Sequence, residues 1–203
     1  MSSEVQTFLE VWDEEAKKTE AMLRSLPDGK YDFRPDAGGR SLGELAWHLA
    51  ETDAYMTYGI ERGAFEMGAK PPGIERLKTI GELAPGFERI HADAIQRVRK
   101  LNAADLDRQL IFFTLIFFTG SPVTIRQILW TMLLHHQIHH RGQLSVLCRL
   151  AGGRAPAPYG PNREEMAKFQ QKAERSAHKF SKPAKEIRPR YVRFETAEHS
   201  SIN

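Results

Sequence analysis

Apolar residues recur at three- and four-residue spacing in four long stretches of the chain, the period of a helix with one buried face. In the first, about residues 4–26, the stripe is Val5, Phe8, Leu9, Trp12, Ala16, Thr19, Met22, Leu23 and Leu26. Pro27-Asp28-Gly29 stops it. The second starts at Ser41, where Ser41-Leu42-Gly43-Glu44 reads as a capping box, and frays near Gly63. Its stripe is Leu42, Leu45, Leu49, Thr52, Met56 and Ile60. The third covers about 80–101 with Ile80, Leu83, Phe87, Ile90, Ala94, Val98 and Leu101. Thr79 and Glu82 form a second capping box there, so Pro85 falls inside the helix or marks its regular start. The run Leu110–Thr119 is continuously apolar and predicts a buried extended crossing or a strand.

The fourth stretch is the longest. Ser121-Pro122 offers a cap and a proline at the first helical position, and Gly152-Gly153 ends the helix after Ala151. A Pro/Gly loop leads to a weaker helix at about 163–180, and from Ser181 the chain reads as an extended or disordered tail. Four long amphipathic helices predict an all-α four-helix bundle over residues 1–163, with a basic C-terminal helix and tail over 164–203.

Composition narrows the function classes. The 203 residues are 41% hydrophobic and 27% charged, as in a soluble globule. No apolar run reaches the length of a bilayer span, and Met1-Ser2-Ser3-Glu4 lacks the pattern of a secretory signal. A cytoplasmic protein with no membrane partner is the expectation. Cys148 is the single cysteine, which excludes an intrachain disulfide, a CxxC knuckle and a CxxC redox pair. Residues 164–203 hold nine Lys/Arg and six Glu, and so the whole net charge of +3. With acids interleaved there, no nucleic-acid partner is expected.

The chemistry gathers on histidine. Five of the eight histidines are His48, His135, His136, His139 and His140, and the last four form two overlapping His-x3-His pairs in the fourth helix. That spacing puts two imidazoles one turn apart on one face, where they can share a metal. On a wheel of about 100° per residue with His136 at zero, Ile125, Leu129, Met132, Leu133, Leu147 and Leu150 lie between about −40° and 60°. His140 falls inside that stripe at about 40°, and His139 and His135 on its margin at about −60° and −100°. His136 and His140 are therefore expected to point into the bundle, where they need polar partners or a metal. Gln143 faces the same way, to hydrogen-bond a ligand histidine or to make a plain polar contact. His48, at the edge of its own stripe, is either a third nitrogen or a hydrogen-bonded structural residue.

Other residues read more plainly. Arg141 points off the stripe toward another segment, Gly142 suggests close backbone packing, and Cys148 lies off the stripe as an inert small residue. His91 reads as structural. Glu51 reads as a solvated carboxylate or a base behind His48, and Asp53 shares its helix. Phe112, Phe113, Phe117 and Phe118 read as core.

Three separated motifs then agree in order and spacing. They are Tyr31-Asp32-Phe33-Arg34-Pro35 with Gly39 through Glu51, His136-Gln137-Ile138-His139-His140-Arg141-Gly142-Gln143-Leu144, and Tyr159-Gly160-Pro161. Over about residues 5–161 the chain resembles the DinB/YfiT-like family of metalloenzymes. The resemblance implies a four-helix bundle, often homodimeric, with a divalent metal on His48, His136 and His140. Gln137 stands where many relatives carry an acidic residue. Members with known activity look like transferases that use a low-molecular-weight thiol and an electrophile. The resemblance thus implies a metal-dependent thiol S-transferase, with a hydrolase or a non-catalytic stress-related metal-binding protein as alternatives. Imidazole donors leave zinc, nickel and iron equally open.

Overall fold

The computed structural model describes residues 3–66, 71–111 and 122–180, the last three by backbone alone. The fold is all-α. Helix α1 spans Glu4–Arg24, α2 Leu42–Arg62 and α3 Ile80–Val98. The fourth helix is built in three pieces: α4 over Ile125–Gln127, a π-helical stretch over Ile128–His135, and α5 over His136–Leu150. Helix α6, Arg163–Phe180, follows. Contacts divide the chain into two compact units, residues 1–158 and 159–203. No helix among the described residues is long and apolar enough to cross a membrane.

Helix starts follow the predicted chemistry with one exception. Ser41 Oγ accepts from the Glu44 amide while the Glu44 carboxylate accepts from the Ser41 amide, the predicted capping box. Gly63 ends α2 at φ 72°. At α3 the Glu82 carboxylate takes the Thr79 amide and hydroxyl, so the helix begins at Ile80 with Pro85 inside it. The exception is the fourth helix, which starts at Thr124 and not at Ser121-Pro122. Thr124 Oγ1 accepts from the Gln127 amide and Gln127 Oε1 accepts from the Thr124 amide. Pro122 instead opens strand β2 (Pro122–Thr124), antiparallel to β1 (Gln109–Ile111) with Leu110 opposite Val123. A first strand position tolerates a residue with no N–H to donate. The rest of the predicted 110–119 crossing, with Phe112, Phe113, Phe117 and Phe118, and the tail from Ser181 lie outside the described residues.

The π-helical stretch rotates the fourth helix relative to the uniform wheel. The buried residues of α5 are Gln137, Arg141, Leu144, Leu147 and Cys148, while Leu150 is 60% exposed. Their mean direction is about 90° from His136, whereas Ile125, Ile128, Leu129, Met132, Leu133 and Leu134 point about −10° on the same wheel. The offset, about 100°, is the rotation that one extra residue in a turn provides. Two corrections follow. His136 and His140 sit half-buried at the margin of the packed face, not at its centre. Cys148 and Arg141, which the uniform wheel set off the stripe, are 0% and 3% exposed. Gly142 is corrected too: a Cβ there would meet nothing within 4 Å, so no neighbour in this chain demands a glycine.

The core forms two apolar clusters stacked along the bundle. One is centred on Met22, Leu42, Trp47, Phe87 and Leu144, the other on Phe8, Trp12, Ile60, Val98 and Leu129. Between them runs a layer of buried polar side chains drawn from four helices: Glu15 and Thr19 on α1, Asp53 on α2, His91 on α3, and Gln137 and Arg141 on α5. Arg141 donates to Glu15 O at 2.7 Å and to Thr19 Oγ1 at 3.2 Å, and pairs with the Glu15 carboxylate. The predicted reach of Arg141 to another segment is this tie to α1.

Candidate metal centre

The N-terminal half of α2 is fixed in place before His48 is reached. The ring of Tyr31 lies against the backbone at Gly43, where any Cβ would collide with it. Arg34 bonds Glu44 at 2.9 Å, and Arg76 reaches both Glu44 (3.7 Å) and Glu51 (2.9 Å). The chain of ion pairs ends on His48, whose Nδ1 lies 3.5 Å from Glu51 Oε2. With Nδ1 turned to a carboxylate, His48 presents Nε2 to the neighbouring helix.

His136 and His140, one turn apart at the start of α5, meet it there. His48 Nε2 lies 3.1 Å from His136 Nε2. Ring centroids are 4.8 Å apart for His48 and His140 and 4.2 Å for His136 and His140. One ligating nitrogen from each of the three lies within 4.8 Å of the others, a group that could hold a metal ion. Two nitrogens sharing a tetrahedral ion at about 2.1 Å sit about 3.4 Å apart, close to the His48–His136 separation. Among the described residues this is the one cluster of its kind. His135 and His139 face outward; the His139 ring lies 5.0 Å from that of His140 but outside the group.

Gln143 holds the third imidazole. Its Oε1 accepts from His140 Nδ1 at 2.7 Å. An amide oxygen only accepts, so the proton is on Nδ1 and Nε2 carries the lone pair. Burial pushes His136 down to about 4, with the charges of His140 and His48 acting the same way. Burial likewise pushes His140 down to about 4, against the hydrogen bond to Gln143. Both rings are therefore neutral near pH 7, the form that ligates metal. Burial raises Glu51, but hydrogen bonds from His48 and Arg76 outweigh it and hold the carboxyl below its usual range. Glu51 thus stays an anion behind His48. The donor set fits a divalent ion: three imidazoles at a half-buried rim, two of them oriented through their other nitrogen.

Of the two roles open to Glu51 from the sequence, the structure shows the one behind His48: the carboxylate is bound to His48 and Arg76, three residues after His48 on the same helix face. Asp53, His91 and Gln137 form a cluster of their own. Asp53 is 0% exposed, accepts from His91 Nδ1 at 2.7 Å, and accepts from Gln137 Nε2. Burial pushes its carboxyl above the usual range, against hydrogen bonds from His91, Gln137 and Trp12. No sequence spacing joins these three residues, since each comes from a different helix.

Comparison with known proteins agrees with this architecture. The profile of the DinB family matches residues 1–176, past the last motif at Pro161 and into α6. The uncharacterized protein YrdA of Bacillus subtilis (strain 168) is 31% identical over 165 residues, which is 80% of this chain and 92% of YrdA. The crystal structure of a DinB-like protein from Bacillus cereus ATCC 10987 superposes with a TM-score of 0.61 at 27% identity, over 77% of this chain and 99% of that one. A DinB-like protein of Bacillus subtilis, YjoA, has the same fold, with a TM-score of 0.59 at 20% identity over 75% of this chain and 96% of its own. The chain belongs to the DinB family.

Proposed function

We propose that this protein binds one divalent metal through His48, His136 and His140 and is a transferase of the thiol S-transferase type. Its substrates would be a low-molecular-weight thiol and an electrophile. The observation that supports the reading is the convergence of three imidazoles from two helices at a half-buried rim. Three protein ligands leave a coordination position for a substrate. A divalent ion bound there, whether zinc, nickel or iron, would lower the pKa of a thiol and so supply a thiolate at neutral pH.

The chain's own residues do the positioning. Glu51, itself held by Arg76, keeps Nδ1 of His48 engaged, and Gln143 keeps Nδ1 of His140 engaged. Burial keeps His136 and His140 unprotonated, so neither spends its ligating form near neutrality. The reading includes a cytoplasmic homodimer, for which the exposed apolar residues Ile111, Val146 and Leu150 supply contact surface. The test is a panel of small thiols and electrophiles incubated with zinc-, nickel- or iron-loaded protein, read as loss of free thiol. Turnover that vanishes in His136→Ala with the helical signal intact is the expected result. No turnover with any pair, or the same turnover in His136→Ala, would overturn it.

A further inference from the structure

Gln137 directly follows His136, and it is bonded to the residue that directly follows His48. Its Nε2 donates to Leu49 O at 2.8 Å and also to Asp53 Oδ1. Leu49 O is the backbone carbonyl next to His48 on α2. The amide therefore ties the two helices at the level of their histidines and again about one turn further along α2. The side chain is 4% exposed, so water does not compete for these bonds.

Asp53 in turn is anchored away from the site. Its Oδ2 accepts a hydrogen bond from His91 Nδ1 at 2.7 Å, and Thr57 Oγ1 donates to its backbone carbonyl at 2.7 Å. The His91 ring is held edge-on to Trp12 at 4.6 Å and stacked on Phe87 at 5.6 Å. Its Nε2 is buried with no hydrogen-bond partner. A ring that leaves one nitrogen unpaired is held by the Asp53 bond and the aromatic packing, so α3 and α1 fix the carboxylate that fixes Gln137.

We propose that Gln137, with Asp53 and His91 behind it, is a positioning cluster that sets the register between α2 and α5 and so holds His48 Nε2 against His136 Nε2. Among the described residues, the hydrogen bonds of the cluster go to neither imidazole. The cluster acts through the backbone next to one and the side chain next to the other. Its effect on metal affinity rests on the metal-binding reading above; its effect on the His48–His136 contact does not.

The test separates register from stability. Gln137→Leu alone strands a buried carboxylate oxygen and is expected to destabilise the fold. The double variant Gln137→Leu/Asp53→Leu removes that oxygen too; it leaves the His91 Nδ1–H unpaired, so it is expected to melt below wild type but to keep its helical signal at the temperature of the measurements. On the metal-free full-length chain, 15N NMR of the histidine rings reads the hydrogen bond between His48 and His136 directly. The expected result is a correlation between the two Nε2 atoms in wild type that is lost in the double variant. Cobalt titration is expected to show at least a tenfold weaker site in that variant. An unchanged ring correlation in the double variant would overturn the proposal, and so would its absence from wild type. Should wild type bind no cobalt, the metal reading falls while the ring correlation still decides the register role. Should the double variant not fold, Gln137→Asn, too short to reach both acceptors, replaces it with the same readouts.

Discussion

At His140 the proton on Nδ1 is committed to Gln143, which leaves one nitrogen for a ligand. Gln143→Leu removes that acceptor and is expected to weaken cobalt binding by about tenfold to a hundredfold, with the melting temperature nearly unchanged because the side chain is exposed. Unaltered binding would show that the ring needs no such support. Protonation gives a second prediction. His136 and His140 fall to about 4 in the folded chain from 6.5. The unfolded chain therefore binds protons that the folded chain refuses between about pH 6.5 and 4. Their contribution to stability is fully present above 6.5 and is lost as pH falls through the folded value near 4. Urea midpoints of the metal-free protein are expected to drop across that window. They are expected to drop less in His136→Ala/His140→Ala, and equal slopes would contradict the assignment.

The elements show which parts of this were written in the sequence. Helix spans came through from apolar period and capping residues, as at Ser41-Glu44 and Thr79-Glu82. The π-helical turn did not, because a 100° wheel assumes one constant period and carries any local unwinding forward as a phase error. The wheel still picked His136 and His140 as a pair, since they lie on one face whatever the phase. It misplaced that face and missed the burial of Cys148 and Arg141. The polar layer was illegible for another reason. Asp53, His91 and Gln137 meet only through the packing of three helices, and no periodicity records such a contact. The π-helical turn itself is testable. Deleting the exposed Thr131 removes the surplus residue, so the two buried faces fall on one side of a regular α-helix. A melting temperature close to that of the wild type is expected, with metal binding retained. A melting temperature lower by more than about 10 °C, with metal binding lost, would show that the extra residue does not reconcile the two faces, since a burial mismatch of about 100° costs several kcal/mol.

On the scale of the whole molecule, the bundle is two apolar clusters with a polar layer between them, and the three histidines sit where α2 and α5 bring that region to the surface. Apolar packing above and below fixes the helices. The buried bonds of Arg141 to α1 and of Gln137 to α2 select one register among those that packing alone would tolerate. The three imidazoles are half-buried there, not sealed in the core. Metal content decides whether this arrangement is a metal centre. Untagged protein purified without added metal would be measured by plasma mass spectrometry beside His136→Ala/His140→Ala. About one zinc, nickel or iron per chain is expected in the native protein, and none in the variant with its helical content preserved. A low metal content equal in both would contradict it.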